Sequence, residues 1–237
     1  VEPEAAVEPE AVPDPDPEPV PEPEAAPAPP SRRLAEARGL VEAGQVGEAI
    51  EAYRALLVDE PDNYKAHNNL GVLFDELGRK EDAVEHFRSA LALQSESVEL
   101  HTNLAGALTA LARLDEAGEV LEQALRLAPS DPEARLAAGV LSFRRGLYPQ
   151  AEAELRAVCE RDARNGLAFY YRGEALNRAG RYAEAVEVML EAAELLPEDP
   201  RPHYTLGHLY DREGRREEAA EMYRKARDLQ ARAEAKS

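Results

Sequence analysis

Three of the five histidines, His67, His101 and His203, stand at multiples of 34 residues from one another. Imidazole is a common zinc ligand. Residues held a fixed long period apart, however, occupy equivalent places in different structural units, so packing is the better reading here than ligation. The chain has no HExxH, no CxxC and no glycine loop of the kind that cradles phosphate, which leaves zinc and nucleotide sites without support. Cys159 is the single cysteine, so no intrachain disulfide can form. Its column at the same period holds Leu57, Leu91 and Leu125, and a buried structural thiol is the expectation rather than a nucleophile. Acid pairs such as Glu81–Asp82 and Glu217–Glu218 fall where a second helix would start, and there they complement the helix dipole. The expectation is therefore a non-enzymatic chain with no catalytic residue, no metal and no cofactor.

The elements that carry these residues follow from periodicity. In residues 68–91, "NNLGVLFDELGRKEDAVEHFRSAL", apolar residues recur three and four apart on both sides of Gly78, the pattern of two short helices. Ala83 recurs as Ala49, Ala117, Ala151, Ala185 and Ala219, and Gly71 as Ala37, Ala105, Gly139, Gly173 and Gly207. The turn residue Gly78 recurs as Gly44, Ala112, Gly146, Gly180 and Gly214. Three independent columns keep one 34-residue period over six copies without a gap, which predicts a helical array. The small columns let helix backbones approach closely, while Leu70, Phe74 and Phe87 fill the flanks. Glycine in the turn column ends each first helix in the left-handed region. Pro132, Pro149 and Pro200 are expected at first helical positions.

His67-x-x-Leu70-Gly71-x-x-Phe74, followed by Ala83-x-x-x-Phe87, Ala90 and Ser95, resembles the tetratricopeptide repeat. Leu206-Gly207-x-x-Tyr210 and Ala219-x-x-x-Tyr223, Ala226 match it again in the last copy. Pro61, Pro129 and Pro197 close copies one, three and five, while the usual Trp position holds Arg33, His67, His101, Arg135, Phe169 and His203. The resemblance implies an all-α fold, a right-handed α-solenoid of six helix-turn-helix repeats over residues 30–233 (30–63, 64–97, 98–131, 132–165, 166–199 and 200–233). Residues 234–237 form a C-terminal tail, and "LQARAEAKS" is expected to prolong the last helix. Arg33 and Glu36 in copy one stand where interior copies mostly carry aromatic or apolar groups, and Arg227 in copy six puts charge in a column otherwise apolar, as capping copies do.

The resemblance also implies a concave groove lined by the first helices. Copies two and three offer it Lys65, Asn68, Asn69, Asp75, Glu76, Glu99, Thr102, Asn103 and Thr109. Copies four to six offer Phe143, Arg144, Tyr170, Tyr171, Glu174, Asn177, Arg178, Arg201, Tyr204, His208, Asp211 and Arg212. Tyr and Arg dominate many interfaces, so the second set is the stronger partner-binding candidate; solvated polar filling is the alternative. Asn69 and Asn103 share one position, where family members hydrogen-bond the backbone of an extended peptide. The chaperone-tail clamp needs a base where Glu99 or Glu133 stands, so that subtype is not expected.

Composition limits the partners. Residues 1–30 hold 11 of the 18 prolines, nine acids and no base, a composition that cannot bury enough surface to fold. Residues 1–29 are therefore expected to be a disordered tail or linker. The net charge is −19, about −10 without that stretch, so general affinity for nucleic acid or anionic membrane is not expected. No run of 18 apolar residues occurs, which excludes a membrane-inserted helix. Arg outnumbers Lys 24 to 4, in keeping with a GC-rich bacterial source. The first residue is Val, and a processed envelope protein that has lost an N-terminal lipid anchor is one expectation. The expected function is a protein–protein interaction scaffold holding a peptide or partner helix, assisting assembly of an envelope machine such as a pilus, secretion or motility apparatus. Its expected location is the periplasm or outer membrane, with the cytoplasm as the alternative. The competing reading is a substrate-targeting or regulatory module of a larger enzyme. In either, the acidic stretch is a tether, a linker, or an autoinhibitor competing for the groove arginines.

Overall fold

A computed structural model describes residues 32–235. The calls on residues 1–31 and on the last two residues lie outside the described residues. The helices pair in sequence: α1 (Arg32–Glu42) with α2 (Val46–Asp59), α3 (Tyr64–Glu76) with α4 (Lys80–Leu93), and α5 (Val98–Ala110) with α6 (Leu114–Leu127). They continue as α7 (Pro132–Arg144) with α8 (Tyr148–Arg161), α9 (Gly166–Arg178) with α10 (Tyr182–Leu195), and α11 (Pro200–Arg212) with α12 (Arg216–Glu234). Each second helix also packs on the next first helix, and from α3 onward successive first helices touch. This is an all-α repeat solenoid. The last helix does run on through most of "LQARAEAKS".

One turn is made six times. After α3, the Gly78 N–H donates to Asp75 O and the Arg79 N–H to Phe74 O, the two bonds of a Schellman motif. The same pair of bonds closes α1, α5, α7, α9 and α11. The residue at the bend has φ of 73° to 78° at the five glycines, and 57° at Ala112. The starts of the first helices repeat as well. Asn63, Ser97, Asp131, Asn165 and Asp199 each accept a backbone N–H in the first turn, a column that the sequence reading overlooked. Pro132 and Pro200 open their helices as expected, whereas Pro149 is the second residue of α8, because Tyr148 already has helical geometry.

The small column makes room for one large side chain of the same hairpin. A Cβ on Gly71 would lie 2.5 Å from the Phe87 ring, and one on Gly207 would lie 2.5 Å from Tyr223. Gly139 and Gly173 stand in the same way against Leu155 and Met189. Ala83 and its five equivalents are buried throughout. Cys159 is buried, and desolvation pushes its thiol up to about 11, so it is protonated and inert at neutral pH.

The apolar core runs from α1 into α7 and again from α9 to α12, and around α8 it narrows to two small groups, Ala151 and Leu155 on Ala175, and Val158 and Cys159 on Ala168. Two columns lose their large apolar side chains on either side of copy four. Across the other junctions, Ile50, Val84 and Val186 hold the register of Leu70, Leu104 and Leu206. On either side of copy four these become Gly118 with Ala138, and Glu152 with Arg172. Glu152 is buried and receives Arg172 Nε at 3.2 Å and Arg181 Nη1 at 3.3 Å.

Candidate partner-binding groove

The first helices position the candidate residues, and their side chains gather into two clefts. Toward the N-terminus, a cleft of about 330 Å³ is lined by Arg38, Glu42, Tyr53, Asn68, Asn69, Val72, Glu76 and Glu99. A second hollow beside it, about 320 Å³, adds Lys65 and Tyr64. Its amides are tied together. Asn69 Nδ2 donates to the Tyr53 hydroxyl at 3.0 Å, Asn103 Nδ2 to Asn68 Oδ1 at 3.0 Å, and Asn68 Nδ2 to Glu99 at 3.0 Å. Thr102 and Thr109 donate their hydroxyls to carbonyls of their own helix. Asn103 supports Asn68 and lines neither hollow.

Toward the C-terminus, a cleft of about 530 Å³ is lined by Tyr170, Glu174, Asn177, Arg178, Tyr182, Tyr204, Thr205, His208 and Arg212. Tyr204 leaves 56% of its surface in solvent, with His208 edge-on at 4.6 Å and Tyr223 behind both. The Tyr223 hydroxyl lies 3.1 Å from His208 Nδ1 and donates to Asp211 at 2.9 Å; burial first, then Asp211, pushes its pKa up to about 12. Tyr170 is pushed to about 12 by burial and by Glu174. Both phenols therefore stay neutral hydrogen-bond donors across the physiological range.

Arg201 lies over the Tyr170 ring at 4.7 Å and is held there by Asp199, so it forms the rim rather than the floor. Arg212 stacks on Tyr182 and donates to its hydroxyl at 3.0 Å. Phe143 and Tyr171, 5.8 Å apart, fill the ground between the clefts, and Arg144 is exposed at the end of α7. The structure thus brings six predicted residues into one cleft: Tyr170, Asn177, Arg178, Tyr204, His208 and Arg212. Lys65, Asn68 and Asn69 belong to the other.

Three tyrosines of second helices, Tyr53, Tyr182 and Tyr223, also shape these clefts, and the sequence reading passed over them. The signal was present for two: Tyr53 and Tyr223 stand 16 residues after the small column at Ala37 and Gly207, where a ring can pass beneath the first helix to its far side.

Comparison with known proteins gives the same architecture. The tetratricopeptide repeat family model matches residues 34–98, 74–132, 102–165 and 136–200, and a second model of that repeat matches residues 200–231. No curated protein sequence matches the chain. A tetratricopeptide repeat protein of Parabacteroides merdae superposes with a TM-score of 0.73 at 19% identity, over 83% of this chain and 77% of that one. PilF of Pseudomonas aeruginosa gives 0.66 at 21% identity, over 84% and 96%. YrrB, a tetratricopeptide repeat protein with an unusual peptide-binding site, gives 0.52 at 22%, over 77% and 94%. At these identities the structures speak for the fold alone; the family follows from the repeat models, which together span most of the sequence, and the chain belongs to the tetratricopeptide repeat family.

Proposed function

We propose that the chain is a non-enzymatic scaffold whose groove of first helices holds a peptide or a partner helix. Tetratricopeptide repeat proteins are in general interaction modules that bind peptide or protein partners. The observation that carries the reading for this chain is the cleft of α9 and α11. There the rings of Tyr170, Tyr204 and His208 stand beside the guanidinium groups of Arg178 and Arg212, which form no ion pair among the described residues. Rings and guanidinium groups of this kind carry much of the energy of protein interfaces, and such a cleft offers both to one ligand.

Capture of partners from a lysate of the source cells tests this, with wild type compared against a Tyr204→Ala, Arg178→Ala variant of unchanged circular dichroism. Loss of the captured proteins from the variant is the expected outcome; identical capture overturns the reading. The finer reading, an assembly scaffold in a bacterial envelope, rests on the Pro/Glu composition of residues 1–30. Fractionation of cells expressing the complete gene tests it, and a product found wholly in the cytosol rejects it.

A further inference from the structure

Every first helix ends on the same register position, and along the array that position reads Glu42, Glu76, Ala110, Arg144, Arg178, Arg212. Local physics accounts for half of this column only. A helix C-terminus carries partial negative charge, so arginine there is favourable and glutamate is disfavoured. The acids at Glu42 and Glu76 thus stand against their own helices. None of the five charged residues forms an ion pair among the described residues, although most other arginines do. Elsewhere on the groove the charges are mixed, and Glu174 and Asp211 stand among the arginines of the C-terminal half. Glu99 adds to the acidic end, where Arg38 and Lys65 offset part of it, while Arg201 at the other rim is neutralised by Asp199, so the bias rests on the column of helix ends.

We propose that the groove is electrically bipolar and selects an extended partner segment of the opposite pattern. The acidic end of that segment lies over α7, α9 and α11, its basic end over α1 and α3, and a ring or apolar side chain enters the cleft at Tyr204. This deepens the groove reading above and rests on it. Helices stacked about 10 Å apart place α1 and α11 about 50 Å from one another, which about 15 extended residues span. Bipolarity fixes the register of the segment, because sliding or reversing it sets like charges together.

The probes are two synthetic peptides of that length and of identical composition, labelled with fluorescein. In one, glutamates cluster at one end and lysines at the other around a central tyrosine; in the other, the charges alternate. The clustered peptide is made in both chain directions, with a photocrosslinker at its acidic end. The full chain should bind one clustered peptide about tenfold tighter than the alternating one, less so as salt rises, and crosslink it within α7–α12. The exposed triple variant Arg144→Glu, Arg178→Glu, Arg212→Glu should lose that preference. Equal behaviour of all peptides, whether all bind or none does, overturns the proposal, as does crosslinking of the acidic end to α1–α4. Bipolarity also fails, with the groove reading left intact, if a partner is lost with the Tyr204→Ala, Arg178→Ala variant but retained by the triple charge swap.

Discussion

At the scale of single residues, one turn tests the left-handed position against its own exceptions. Ala112 holds a φ of 57° where five sister copies use glycine. A non-glycine residue there is strained by about 1–2 kcal/mol, while glycine adds about 0.4–1 kcal/mol of unfolded-state entropy. Ala112→Gly should therefore raise stability by about 0.5–1 kcal/mol in chemical denaturation, and Gly78→Ala should lower it by a similar amount. The small column makes the opposite demand. Phe87 is buried against Gly71, so Gly71→Val should cost about 1–3 kcal/mol, read as a lower melting temperature. The need for a left-handed turn and for a small residue was legible, because each column repeats six times. The sequence reading, however, gave the room at Gly71 to backbone approach and set Phe87 on the flank, whereas the Phe87 ring fills it. The individual destination of Asn69 was not legible. Its amide serves Tyr53, which arrives from the previous hairpin, and no spacing within α3 encodes that contact.

At the scale of elements, the helix pairs and their turns were readable because capping, turn and packing signals coincide at one period. The cap column at Asn63 and its equivalents repeats as regularly, yet its residue type varies among Asn, Ser and Asp. A reader seeking identical letters misses it, although an oxygen acceptor is all the position requires. One contact between helices is sensitive to pH. His86 packs beside His67, at 3.1 Å between ring nitrogens, and stacks on Phe74. Burial, reinforced by His67, lowers its pKa from the ordinary 6.5. The unfolded chain then takes up a proton on His86 that the folded chain resists, so the stabilisation is present above pH 6.5 and is lost as the pH falls below it. Melting temperatures measured from pH 7 to pH 5 should fall, and His86→Gln should flatten the fall. His203, whose pKa burial also lowers, leaves part of the slope in that variant.

At the scale of the whole array, the junction of α8 with α9 is the one, among the described residues, built round a buried ion pair, a property that composition does not announce. Repeat proteins gain their stability from neighbour to neighbour, so the chemistry of one junction sets how strongly the copies on its two sides are coupled. Removing the carboxylate alone, as Glu152→Ala, leaves Arg172 four-fifths buried without its partner and should cost about 2 kcal/mol. Restoring what the sister junctions use, with Glu152→Val and Arg172→Leu together, should instead stabilise by about 1–3 kcal/mol. Hydrogen exchange should show α1–α6 and α9–α12 opening as separate units in the wild type and merging in the double variant. A single opening unit in the wild type would count against the division. The ion-paired junction also falls between the two clefts, and this has a mechanical side. A segment laid along the groove crosses the junction as a splint crosses a joint. Two stiff halves that flex independently when empty would be braced by whatever spans them. The amides of α7–α9 would then be a gauge of occupancy, even though the ligand is gripped chiefly at its two ends.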